Sequence, residues 1–176
     1  MPQLPESNNQ RSQAGMRPLA SGHPAGPPLA HPDPFLIEVC PHENETSRVV
    51  DHVSNIHYLE WLDRAAEMHM DAMGWTRADL LATGRMWFVA RHEIDYLAEV
   101  RAGEVLYLAT WVRDLRRAKS WRDSVLWRLD GDPDDEPRMV CTASTLWVLV
   151  DLKTRRPCRV PEAMTKALNP LSPRHR

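Results

Sequence analysis

Apolar side chains recur along this chain with two different periods. Leu59, Leu62, Ala66, Met70 and Met73 fall three or four residues apart, the spacing of one face of an α-helix. Ser54 and Asn55 before them suit a helix N-cap, and Gly74 suits a helix stop. The spacing therefore predicts a helix over residues 56–73. Ala65, Ala66 and Ala72 are small enough to let a sheet approach it closely. The segment Thr76 to Thr83 predicts a second, short helix capped by Thr76, with Gly84 after it. Ahead of the long helix, Phe35 to Cys40 follows Pro34 and reads as a strand. After Gly84 the texture turns to β, with four apolar, partly alternating runs: Met86 to Leu97, Val105 to Leu115, Trp121 to Leu129 and Met139 to Asp151. Gly, Pro and charged residues punctuate the joins, most clearly Gly131 to Pro137, a hairpin loop. One strand, one long helix and four sequential antiparallel strands predict an α+β domain in which a meander wraps the helix.

The flanks differ in composition. The first thirty residues are rich in Pro, Gly, Ser, Asn and Gln, with almost no large apolar side chains. They lack the apolar stretch of a signal peptide. Residues 1–33 are expected to be a disordered arm, 34–165 the folded domain and 166–176 a flexible tail. The 176 residues carry a net charge of −2. That balance, with acidic and basic residues mixed throughout, argues against nucleic acid as the main partner. No apolar run is long enough to span a membrane. Cys40, Cys141 and Cys158 are odd in number and lack CxxC spacing, which speaks against a disulfide framework or structural zinc and fits a cytoplasmic protein.

Candidate chemistry gathers just before the long helix. Asp51, His52, Asn55, His57 and Tyr58 place a carboxylate, two imidazoles, an amide and a phenol within eight residues. A helix N-terminus offers unpaired N–H groups and partial positive charge, and acid–base groups beside it are the parts needed to hydrolyse an ester or thioester. His42, His52 and His57 lack the spacing of a metal set. Five of the seven Trp residues, Trp61, Trp87, Trp111, Trp127 and Trp147, occupy core-like positions.

Four stretches in order resemble the hotdog-fold thioesterases, in particular the branch of 4-hydroxybenzoyl-CoA and acyl-carrier-protein thioesterases. The loop Asp51-His-Val-Ser-Asn-Ile-His-Tyr58 is similar to the second half of that branch's Asp-x-x-Gly-His-Val-Asn-Asn-x-x-Tyr. Glu93-Ile-Asp-Tyr-Leu97 with Gly103-Glu104 resembles its Glu-Ile-x-Tyr-Leu strand and turn. Lys119-Ser120 resembles a basic-Ser pair opening the next strand, and Leu149 to Asp151 with Arg155 to Pro161 resembles the last strand and tail. The resemblance covers about residues 35–164. It implies a curved antiparallel sheet wrapped around one central helix, a homodimer or dimer of dimers, and hydrolysis of an acyl-CoA or acyl-carrier-protein thioester. No metal or redox cofactor is implied; coenzyme A is part of the substrate. Asp51, His52 and Asn55 are the implied catalytic residues. Tyr58, His57, Glu93, Arg113, Arg117, Lys119 and Ser120 are the implied substrate-binding ones, the basic group holding phosphates. One departure stands out: Arg48 occupies the place where many relatives carry an Asp, which leaves Asp51, Glu43 or Glu45 to supply the carboxylate. The same departure admits an acyl-thioester binder that does not cleave, and an enoyl-CoA hydratase of the same fold is a further alternative.

Overall fold

The computed structural model describes residues 15–19, 24–47, 49–131 and 136–171. Its elements follow the periodicity closely. The long helix α1 is Asn55–Ala72 and the short helix α2 is Arg77–Ala82. Thr76 caps α2 by accepting from the N–H of Asp79, whose carboxylate returns a bond to the Thr76 N–H. Gly74, at φ +75°, lets the chain leave α1 in the left-handed conformation. The strands are β1 (Gly15–Pro18), β2 (Phe35–Cys40), β3 (Arg85–Tyr96), β4 (Leu106–Arg116), β5 (Lys119–Arg128), β6 (Arg138–Asp151) and β7 (Arg156–Pro157); helix α3 (Glu162–Leu168) closes the chain.

All strand pairs are antiparallel, in the order β1-β2-β4-β5-β6-β3, with β7 also on β6. The simple four-strand meander is therefore corrected: β4-β5-β6 is one, but β3 lies beyond β6 and not beside β4. Strand β2 takes the edge of β4 instead. The connection over residues 97–105 is long enough to cross, and it is anchored by fully buried Val100, whose carbonyl accepts from the Val53 N–H at 2.7 Å.

Helix α1 lies on the inner face of the curved sheet. Tyr58, Trp61, Leu62, Ala65 and Met68 pack against Ile37, Val39, Leu106, Leu108 and Leu126. Toward its C-terminal end, Met70 meets Leu80, Val112, Leu149 and Met164. Burial of such side chains contributes roughly 1.5–3 kcal/mol each. The outer face is also covered. Trp111 and Trp127 are buried there beside Leu19, Leu29 and Leu171.

Those contacts change the reading of both flanks. Within the arm expected to be disordered, Gly15–Pro18 is a strand on β2, and Trp127 donates its indole N–H to the Ala25 carbonyl at 3.0 Å. Gly26 lies flat on that indole, where a Cβ would come within 3.0 Å of the ring. His31 is buried and bonded to the Asn169 carbonyl. In the expected tail, Leu168 is buried and the Leu171 N–H donates to Val112. An outer sheet face bearing two indoles needs cover, and the flanks supply it. Most of the Gly131–Pro137 hairpin loop lies outside the described residues.

Candidate active site

The loop before α1 is held by a buried carboxylate, one of the three acids named above as stand-ins for the Asp that Arg48 displaces. Glu45, in a 3-10 turn (Glu43–Glu45), is 5% exposed. Its Oε1 accepts from the Trp61 indole at 3.0 Å and its Oε2 from the His42 N–H at 2.7 Å. Its carbonyl accepts from the Ser54 N–H at 2.9 Å. Glu45 thus fixes the loop to the helix from below. Across the loop, Ser47 donates its N–H to the His52 carbonyl at 2.8 Å, and Thr46 bridges Val53.

The result is an open groove of about 870 Å³ at the N-terminus of α1. His52, Asn55, Tyr58, Tyr96, Glu99 and Arg101 line it. Ser54, the N-cap residue, makes no side-chain capping bond. The first N–H groups of α1 therefore keep their capacity to hold an oxygen. The Tyr58 ring stands edge-on to Tyr96 at 5.1 Å between centroids. Burial, reinforced by nearby Cys141 and Tyr96, pushes its phenol well above the usual range, so it stays protonated and can donate. Arg128 and Arg138 complete the wall. Arg128 is committed to Glu104 at 2.6 Å and Asp130 at 2.7 Å, whereas Arg101 has no ion-pair partner among the described residues. The groove's other carboxylate, Glu99, is likewise unpaired.

Of the expected site residues, the structure gathers His52, Asn55 and Tyr58. Asp51 is exposed in the bend beside His52 and does not line the groove. Arg48 lies outside the described residues. His57 turns to Glu60 at 2.7 Å, with Glu45 at 4.0 Å. Glu45, His57 and Glu60 sit close enough to share a cation, but Glu45 is already satisfied by Trp61 and His42, and His57 by Glu60. Glu93 is on the outer face of β3, paired with Arg91 at 2.6 Å. Strand alternation does separate it from His92, which bonds Thr145 at 3.0 Å on the inner face.

The basic group is remote from the groove within the protomer. Strand β4 has 11 residues, roughly 35 Å at about 3.3 Å each, and the hairpin that follows is at its far end. Arg113 stacks over Trp121 at 5.2 Å and pairs with Asp123 at 3.0 Å. Arg117 occupies the turn at φ 47°, Lys119 is exposed, and Ser120 is buried on the inner face. Of the arginines that do reach the groove, Arg101 comes from the long crossing, Arg128 from β5 and Arg138 from β6. Their position follows from strand order, which spacing along the chain does not reveal. Cys141 is no nucleophile: burial pushes its thiol up to about 12.

Solved structures share this architecture. A 1,4-dihydroxy-2-naphthoyl-CoA thioesterase from Synechocystis superposes with a TM-score of 0.68 at 15% identity, over 77% of this chain and 96% of that one. A Staphylococcus aureus protein solved in complex with CoA gives 0.68 at 15% identity, over 77% and 81%. A DHNA-CoA thioesterase from Staphylococcus aureus gives 0.65 at 20% identity, over 74% and 88%. At such identities the likeness establishes the hotdog fold. No curated protein matches the sequence. The model of the thioesterase-like superfamily matches residues 47–168, more than half of the chain, and the chain belongs to that superfamily.

Proposed function

We propose that the groove at the N-terminus of α1 hydrolyses an acyl thioester, with an acyl-CoA as the preferred substrate over a carrier-protein conjugate. The observation that carries this reading is the uncapped helix terminus opening beside His52 and Tyr58. Attack of water on a thioester carbonyl builds negative charge on its oxygen. Free N–H groups at Asn55 and Ile56 are the donors suited to hold that charge, and the protonated Tyr58 phenol lies alongside. His52, which lines the groove, is the imidazole that takes the proton from water. Asp51 adjoins it in the chain but lies outside the groove lining. Arg101 and Arg138 on the rim, in place of the Arg113–Lys119 group, would meet the phosphates of coenzyme A.

Thiol release from a panel of acyl-CoA thioesters tests the reading. Wild-type protein is expected to liberate free thiol, and His52→Ala to lose about 100-fold or more in kcat/KM, the scale of one general base. Acyl-CoA binding in calorimetry with no thiol released by the wild type would instead establish a non-catalytic binder.

A further inference from the structure

A second cavity, sharing no residue with the groove, opens between α1 and the far part of the sheet. It has a volume of about 70 Å³. Its walls are apolar, with Met70, Leu80 and Leu168 among them. Four polar side chains on strands also line it: Arg122, Trp87, Trp147 and Ser120.

Arg122 is 5% exposed and makes two bonds, both from Nη1, to His69 Nδ1 at 2.9 Å and to Thr110 Oγ1 at 3.2 Å. Both acceptors are neutral. The His69 imidazole is pulled down to about 3, chiefly by burial and then by Arg122 itself. Arg122 is lowered by burial to about 10, so it is cationic at neutral pH. No carboxylate lies within ion-pairing distance of it among the described residues, and Nε and Nη2 have no protein partner there. A buried guanidinium normally meets an anion, because removal from water costs several kcal/mol that neutral acceptors restore only in part. The indole N–H groups of Trp87 and Trp147 are also buried without a partner. Buried donors of this kind are rare in folded proteins. The residues lining one cavity therefore include a cation without a counter-ion and two indoles whose N–H groups lack an acceptor.

We propose that this cavity is a binding site for a short-chain monocarboxylate, its carboxylate taken by Arg122 and the two indoles and its alkyl end by Met70, Leu80 and Leu168. The volume sets the size. It is about half that of a cavity that accepts benzene, which suits a carboxylate of only a few carbons. Asp63, Glu67 and Asp71 lie on the α1 side of the same cavity. Glu67 is already neutralised by Arg64 at 2.8 Å and Arg77 at 3.3 Å. The two remaining acids disfavour dianions, so the ligand carries a single charge. A short carboxylate is also a product of hydrolysing a short acyl thioester; that link rests on the function proposed above, whereas the binding itself does not.

The test reads binding alone, so its outcome is independent of turnover. Full-length protein with nitrogen-15 in its indoles is titrated with propionate and, separately, with propionamide. The Trp87 and Trp147 signals are assigned from Trp87→Phe and Trp147→Phe. Propionate is expected to move both signals saturably, and propionamide to bind about tenfold more weakly or worse, the scale of one charge-assisted bond. Arg122→Met is expected to lose the propionate response while keeping the wild-type circular dichroism. If that variant does not fold, the acid–amide contrast in the wild type decides. Equal binding of acid and amide overturns the proposal, as do signals unmoved at about 50 mM propionate and a response retained in folded Arg122→Met.

Discussion

Glu45 and His69 show how much of this protein rests on single buried polar groups. Glu45 joins the His42 N–H, the Trp61 indole and, through its carbonyl, Ser54. Glu45→Ala leaves the buried Trp61 indole and the part-buried His42 N–H without a partner and is expected to cost about 2–3 kcal/mol, read as a lowered denaturant midpoint. Activity should fall with it, because the same bonds shape the groove. A variant of wild-type stability would contradict this role. His69 stacks on Phe35 at 5.0 Å and accepts from Arg122, with buried His31 close enough to add to the repulsion. Its folded value of about 3 lies below the unfolded one of about 6.5. The unfolded chain therefore binds the proton first as pH drops. Stability is complete above about pH 6.5 and is lost progressively toward pH 3, on the order of 2 kcal/mol by pH 5. His69→Gln should flatten that slope in urea titrations at pH 7 and pH 5; an unchanged slope would show that other groups cause it. The structural part played by either residue was not legible in the sequence. Glu45 was one of several loop acids, and nothing along the chain shows that β5 brings Arg122 beneath His69. His52, Asn55 and Tyr58 were legible, because residues 52–58 are local and their helix signals are strong.

Each central helix and strand stands within about two residues of its expected place, since each has a period of its own. Elements lacking a period were missed. Strand β1 has four residues and β7 two, and helix α3 falls in the stretch where the domain was expected to end. What organises the described part of the arm is the outer face of the sheet: Trp127 bonds Ala25, and Gly26 covers the indole. Composition read the arm as disordered because it counts the arm's own apolar residues and not those it covers. Deleting residues 1–33 is expected to uncover Trp111 and Trp127 and to cost about 3 kcal/mol or more, seen as a lower Tm and increased dye binding. A truncated protein with the wild-type Tm would show that the arm only rests on the sheet. The crossing of β3 to β6 was also hidden. Short joins suggest neighbouring strands, but β2, formed earlier in the chain, already holds the edge of β4.

For the whole molecule, the sheet ends at β3, whose outer edge has no partner among the described residues. Phe88 and Val89 are 43% and 38% exposed on it, and Tyr96 and Leu97 are 47% and 55% exposed where it meets the groove. An unpaired, apolar edge favours pairing with a second copy about a two-fold axis. Our reading expects a homodimer through β3. Phe88→Lys should shift sedimentation toward the monomer, and a wild-type protein that sediments as a monomer would contradict it. Pairing β3 with its copy in antiparallel fashion would also bring one protomer's Arg85 end toward the other's Tyr96 end, beside the groove. Among the described residues, no helix is long and apolar enough to cross a membrane. The central claim is that the groove at the start of α1 cleaves acyl thioesters with His52 as its base. Thiol release by wild type, His52→Ala and Asp51→Asn on one acyl-CoA panel tests it most directly. The account predicts turnover by the wild type, a loss of about 100-fold or more in His52→Ala, and a loss of less than about tenfold in Asp51→Asn. Equal turnover by wild type and folded His52→Ala, or a wild type that binds acyl-CoA and releases no thiol, would contradict it.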